Sequence, residues 1–325
     1  MNRMVDTHMG GRRITLRESL IMLCALSVWL AVTALCVGFR PEHGWLALLI
    51  AALFFCCRPT RRLVVALLPF IVFGISYDWM NIVHNYEVNP VDIRGLYEAE
   101  KSLFGVTGAD GVRLTPNEYF AANRCGVMDF LGGVFYLCWV PVPILFGLWL
   151  YFGGRVKPYL HFSLVFLLVN LIGFAGYYIH PAAPPWYVAL HGFEFQIGVP
   201  GDVAGLGAFD AMTGLGIFQG LYGRNANVFA AVPSLHSAYT LVALIYSLRS
   251  RAPWWISTLL AVVTAGIWFT AVYTSHHYII DVLLGISCAL LGFVLFEYVL
   301  MRIPIFSRFI SRYASYVAPG RGTQR

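Results

Sequence analysis

Pro233-Ser234-Leu235-His236 and Tyr273-Thr274-Ser275-His276-His277-Tyr278-Ile279-Ile280-Asp281 hold the residue types needed for nucleophilic attack with acid help. His277 and Asp281 stand at i and i+4, on one face of a helix. A carboxylate there can accept from one imidazole nitrogen, which fixes the tautomer and raises the basicity of the other. Pro233 has no N–H to lose at a helix start, and Ser234 brings a hydroxyl and a backbone N–H to the same first turn. A helix N-terminus favours anions, phosphate among them. His236 projects from that turn. The simplest chemistry for these parts is phosphoryl transfer. His277 attacks phosphorus, Asp281 orients it, and His236 protonates the leaving oxygen. The phospho-histidine then passes to water or to an alcohol. His276 is read as a neighbour that polarises the site.

The elements that must position these groups are membrane helices. The chain is 59% hydrophobic and 12% charged, far more apolar than a soluble domain. Apolar runs lie at 18–38, 44–57, 63–80, 128–151, 159–179, 232–248, 254–273 and 277–300. The second is the weakest, since about 20 residues are needed to cross. The first is too long for a signal-peptide core and no small-residue cleavage site follows, so it reads as an uncleaved anchor. The expected fold is an all-α polytopic bundle of eight transmembrane helices. With the N-terminus inside, 16 of the 22 Lys and Arg fall on cytoplasmic segments, as the positive-inside rule requires. Both termini are then cytoplasmic, and both polar motifs land on the outer face. The net charge of +6 reports orientation; no soluble basic patch supports nucleic-acid binding. Six of the seven cysteines lie in or beside apolar runs and only Cys125 falls in a long polar loop, so no disulfide framework is implied. No Cys/His pattern has zinc spacing.

With P-S-x-H and H-x-x-x-D one transmembrane hairpin apart, the chain resembles the type 2 phosphatidic acid phosphatase superfamily. Ala231-Val232-Pro233-Ser234-Leu235-His236, His276-His277-Tyr278-Ile279-Ile280-Asp281 and Pro184-Pro185-Trp186-Tyr187 most resemble its inositol phosphorylceramide synthase branch. The resemblance covers residues 130–300. It implies a six-helix phosphatase-like core, the roles given above for His236, His277 and Asp281, no required metal or other cofactor, and a site on the lumenal or periplasmic face. The superfamily's K-x6-R-P motif is missing: Arg40-Pro41 and Arg58-Pro59 have Thr33 and Ala51 where Lys should stand. The usual S-R before the third motif reads Thr270-Ala271. A cation must still stabilise the phosphoryl oxygens. Arg224, the only Lys or Arg of the outer loop 180–231, is the candidate, with Asn225 and Asn227 as hydrogen-bond donors to phosphate or a polyol headgroup. Tyr187, in the proline-rich turn after His180, reads as a wall for that headgroup or as an interfacial anchor.

Elsewhere the pattern says less. Residues 81–127 form an outer segment, read first as a connector and otherwise as a cover for the site or a partner surface. Within it 91–104 suggests a surface helix, and Thr115-Pro116 the cap and first position of another. The loose glycines of 198–223 suit a gate as well as a phosphate loop. His8, His43, His84, His161 and His191 have no partner pattern and read as structural. The organisation expected is an N-terminal region 1–127, a catalytic core 128–302, and a basic tail 303–325 on the cytoplasmic surface. Transfer of a headgroup phosphate, such as inositol phosphate, from a phospholipid donor to a ceramide-like lipid alcohol competes with hydrolysis of a lipid phosphate, where water is the acceptor. A transporter is the reading of another class, but no repeated halves appear.

Overall fold

The computed structural model describes residues 14–223 and 227–318. Among them the regular structure is helical except for one hairpin of two-residue strands. The N-terminal helices are α1 (Leu16–Cys36), α2 (Pro41–Cys56), α3 (Arg58–Ala66) and α4 (Leu68–Trp79). The outer segment holds α5 (Asn85–Val88), α6 (Arg94–Phe104), the strands β1 (Val106–Thr107) and β2 (Arg113–Leu114), and α7 (Pro116–Ala122). The strands pair antiparallel, with Val106 opposite Leu114. Then come α8 (Gly126–Leu137), α9 (Pro141–Phe152), α10 (Val156–Ile179), α11 (Pro185–His191), α12 (Gly207–Thr213) and α13 (Ile217–Tyr222). The chain ends in α14 (Leu235–Arg249), α15 (Trp254–Tyr273), α16 (Ile279–Val294) and α17 (Pro304–Val317).

Each of the eight apolar runs carries helix, yet the runs are not eight uniform spans. Four helices among the described residues are long and apolar enough to cross a bilayer: Leu16–Cys36, Val156–Ile179, Trp254–Tyr273 and Ile279–Arg302. Counting α3 with α4 and α8 with α9 as broken spans gives up to six. α8 and α9 meet at 44°, because Pro141 and Pro143 lack the N–H groups a continuous helix would use. α2 and α14 are shorter, at 16 and 15 residues. The chain is an integral membrane protein with four to six candidate spans.

The described residues fall into two compact units, 14–68 with 315–318, and 69–223 with 227–314. In the first, Thr15 and Glu18 form a capping box that starts α1. His43 accepts the Arg40 N–H at 3.1 Å and so caps α2, the structural part expected of it. In the second unit, α14 lies against α10, α15 and α16, and α8 packs on α15. At the end of α14 remote from His236, Glu297 gathers His161 (2.8 Å), Tyr246 (2.6 Å) and Arg249 (2.9 Å). It sits where the last span widens into a π-helical segment, Leu295–Val299. An ionisable group at membrane depth survives by such pairing.

Helices approach closely in a membrane where a small residue lets the backbones meet. Gly285 of α16 is the tightest case for the site. A Cβ there would run into the Ser234 carbonyl and the Ser237 hydroxyl at the start of α14. Gly285→Val is therefore expected to lower stability by about 1–3 kcal/mol, the usual cost of overpacking, and to lose activity with it. A thermal melt in detergent checks this, with Gly74→Ala as control, since a Cβ at Gly74 meets nothing within 4 Å. Equal melting of the two variants would mean that α14 and α16 have room to spare.

The outer segment is more than a connector. As expected, Thr115 caps α7 and Pro116 takes its first position; Glu118 completes a capping box. Asn85 donates to the carbonyls of Tyr177 (3.0 Å) and Phe229 (2.8 Å). Asp92 N–H donates to Pro181 O (2.8 Å), and Ala183 N–H returns to Asp92 O (3.0 Å). Ala182 N–H donates to Phe229 O (3.0 Å). These bonds hold the 181–183 and 229–231 segments side by side at the entrance to α14.

Candidate active site

α15 ends in a turn that aims its following residues inward. Ser275 N–H donates to Val272 O (3.1 Å) and His276 N–H to Ala271 O (3.0 Å), a Schellman pair. Ser275 holds the left-handed position at φ 61°, which costs a non-glycine residue about 1–2 kcal/mol. His277 N–H also reaches Ala271 O (2.9 Å). The result is a backbone hook that presents His276 and His277 before α16 begins. Trp186 N–H donates to Ser275 O and Gly205 N–H to Thr274 O, both at 3.0 Å, bracing the hook from two sides.

α14 delivers the third ring. His236 Nδ1 lies 3.1 Å from His277 Nε2. On the other side of the His277 ring, Nδ1 lies 3.4 Å from Asp281 Oδ2. That separation is longer than an ordinary hydrogen bond, as often seen before substrate tightens a site. The Tyr278 N–H holds Asp281 Oδ2 at 2.9 Å. The order is His236, His277, Asp281, with all of Asp281 and nearly all of His277 out of solvent. Such a relay supplies a basic Nε2 on His277 and an N–H on His236 beside it. His276 donates to or accepts from Thr274 Oγ1 at 3.0 Å. Its buried Nε2 has no hydrogen-bond partner among the described residues.

A cavity of about 270 Å³ opens over the rings, lined by His236, His276, His277 and Asn227 among mostly apolar and aromatic side chains. Trp139 meets the His236 ring edge-on at 4.5 Å, and Tyr136 stacks on it at 5.1 Å. Tyr222 lies 4.6 Å from His276. Phe73, Tyr77, Phe174 and Tyr177 belong to the same lining. The lining thus combines imidazoles and an amide with apolar and aromatic walls, the mixture a lipid ester presents. Among the described residues, no Lys or Arg lines it.

The residues singled out from the sequence divide into groups. His236, His276, His277 and Asn227 line the cavity, and Asp281 stands behind His277. Ser234 occupies the N-cap position of α14 without a side-chain capping bond, with Pro233 just before it. Its N–H donates to Asp281 O at 3.0 Å, so that donor ties α14 to α16 instead of facing the cavity. Tyr187 is buried outside the lining; its hydroxyl donates to Glu194 O (2.8 Å) and accepts from Gln196 N (2.9 Å). Arg224 and Asn225 lie outside the described residues.

Sequence reasoning missed two buried side chains of the outer segment. Asn117 donates to both Val272 O and His277 O at 2.9 Å. Glu100 accepts from Ile279 N (2.9 Å) and Ile280 N (3.1 Å). Burial pushes the Glu100 carboxyl up from the ordinary glutamate range, against the two N–H donors, which favour its charged form. It also missed Tyr136, Trp139 and Tyr222. Tyr136 and Trp139 are three apart in an aromatic run, a spacing that could have flagged two rings packed on His236.

Comparison with known proteins fits this geometry. The family model described as PAP2 superfamily matches residues 116–295. The chain is 60% identical over 301 residues to the phosphoinositol dihydroceramide synthase of Bacteroides thetaiotaomicron, covering 93% of this chain and 98% of that one. It is 27% identical over 184 residues to the inositol phosphorylceramide synthase of Candida albicans, covering 55% of this chain and 37% of the relative. The inositol phosphorylceramide synthase catalytic subunit of Saccharomyces cerevisiae matches at 31% over 134 residues, 40% of this chain and 31% of the relative. No solved structure matches significantly. With a family match over more than half its length and a relative aligned along nearly all of both chains, the chain belongs to the PAP2 superfamily.

Proposed function

We propose that this chain transfers inositol phosphate from a phosphoinositol phospholipid to the hydroxyl of a ceramide-type lipid. The observation that carries the reading is the near full-length match to a phosphoinositol dihydroceramide synthase at 60% identity. The imidazole relay supplies the chemistry. His277 Nε2 attacks phosphorus, the bond from phosphorus to the diacylglycerol oxygen breaks, and the His236 Nδ1 proton goes to that oxygen. His236, now neutral and lacking that proton, takes the proton of the acceptor hydroxyl. The acceptor oxygen attacks phosphorus and the bond to His277 breaks. Asp281 holds the His277 Nδ1 proton throughout and balances the charge that builds on the ring. In-line attack places the leaving oxygen opposite the nucleophile, and reacting atoms sit about 3–3.5 Å apart before reaction. The His236 and His277 nitrogens, at 3.1 Å, must part for a phosphoryl group to enter.

The His276 Nε2 and Asn227 contact the phosphoryl oxygens or the inositol hydroxyls. Arg224 is the counter-charge, with Asn225 beside it; in sequence they fall between Tyr222 and Asn227, which both line the cavity. Ser234 and Tyr187 serve by holding α14 and the 187–196 turn in place. Residues 128–302 form the catalytic core, with 1–127 preceding it and the basic 303–325 tail on the cytoplasmic side. The eight apolar runs cross as eight spans with both termini inside, so the histidines face the outer compartment and meet lipid there.

The test is incubation of purified protein with inositol-labelled phosphatidylinositol and dihydroceramide, followed by lipid separation. Label is expected in a new sphingolipid that forms only when dihydroceramide is present. Water-soluble inositol phosphate appearing at the same rate with or without dihydroceramide would replace this reading with a lipid phosphohydrolase.

A further inference from the structure

Asn117 and Glu100 reach the catalytic hook from outside the bundle. Both are buried, at 2% and 0% exposure. Asn117 uses one amide nitrogen to clasp the carbonyls of Val272 and His277, which close the end of α15 and the nucleophile's own peptide. Glu100 then clasps the N–H groups of Ile279 and Ile280, the first free donors of α16, two positions before Asp281. Between them the two side chains fix the backbone on both sides of His277. Neither lines the cavity, so neither is placed to touch substrate. Their own elements are anchored in turn: α7 by its capping box, and α6 by Asp92, whose carboxylate accepts the Leu96 N–H at 3.2 Å.

We infer that Glu100 and Asn117 are positioning residues that splint the 272–280 segment and so set His277 against His236 and Asp281. The inference rests on His277 being the nucleophile. Its consequence is that the outer segment, which packs through Leu96 against Tyr278, governs the rate of the chemical step. A displacement near 1 Å in a nucleophile costs up to about 100-fold. Glu100→Gln keeps shape and one acceptor but turns an amide NH2 donor toward the second N–H. Asn117→Asp keeps shape but faces two carbonyls with a carboxylate.

The experiment counts competent sites and measures turnover per site. Protein is mixed with inositol-labelled phosphatidylinositol without acceptor, quenched, and the label on protein is counted; donor kcat and KM are then measured with dihydroceramide. Both variants are expected to lose about 10- to 100-fold in turnover per labelled site, with the donor KM within about threefold, since substrate contacts are untouched. Unchanged turnover per labelled site, with fewer sites labelled, would reduce the two residues to ordinary structural ones and overturn the inference. If Asn117→Asp fails to fold, Glu100→Gln decides alone. If wild-type protein carries no label, or His277→Ala still does, the nucleophile reading fails and this inference with it. Labelled wild type with unaffected variants leaves that reading standing and removes only the splint.

Discussion

His277→Ala is expected to abolish inositol-phosphate transfer, with a loss of about four orders of magnitude or more. No neighbouring group can stand in. His236 lies 3.1 Å away, but among the described residues no carboxylate pairs with its ring to hold a tautomer. His276 has Nδ1 turned to Thr274 and its ring packed between Tyr136 and Tyr222. A phosphoryl group seated for attack by His277 Nε2 has no second nucleophile in line. The same substitution should remove the acid-labile, alkali-stable label expected of a phosphorus–nitrogen bond from the protein, while leaving the melting temperature near that of wild type. Covalent label persisting in His277→Ala, or transfer surviving above one per cent of wild type, would place the nucleophile elsewhere. Transfer lost while wild type itself never carries label would point to direct displacement by the acceptor. His277 would then be its base.

The relay was legible from the chain because its signals are local. His277 and Asp281 are one helical turn apart, and His236 follows a Pro-Ser helix start. The charge pattern adds only a shared membrane face, and the fold brings the rings together by close contact at Gly285, whose role a hydropathy count cannot express. Hydropathy found every apolar run but not how each is built. Pro141 and Pro143 stand in plain view within 128–151, yet a summed index is blind to a missing N–H, so one run became two helices. Asn117 and Glu100 were illegible for a different reason. Their partners are backbone groups 155 to 180 positions away, and a backbone N–H or carbonyl has no residue type to match. In a polar outer segment they look like any solvated side chain. Ser234 illustrates the reverse case. A helix-start serine suggests an anion site, but α16 comes close enough for its Asp281 carbonyl to take the Ser234 N–H.

His236→Ala separates the two halves of the reaction. Diacylglycerol is a poor leaving group, so its departure needs a proton, and loss of a general acid costs about 100- to 10,000-fold. Loss in that range is expected with phosphatidylinositol as donor. An aryl ester of inositol phosphate behaves differently, because a nitrophenolate leaves without protonation. The first step should then run at a rate close to wild type. The second step cannot, since the acceptor hydroxyl has lost the base that His236 becomes. His236→Ala with the aryl ester is therefore expected to release about one nitrophenolate per site in a burst and then slow, with label held on His277. Stopped-flow absorbance gives the burst, and an alkaline detergent quench, which spares a phosphorus–nitrogen bond, gives the adduct. Equal loss on both donors, with no burst, would remove His236 from the acid role. The double variant with His277→Ala should be no slower than His277→Ala alone, because two groups serving one proton path do not contribute independently. A further loss in the double variant would mean that His236 assists some route that does not pass through His277.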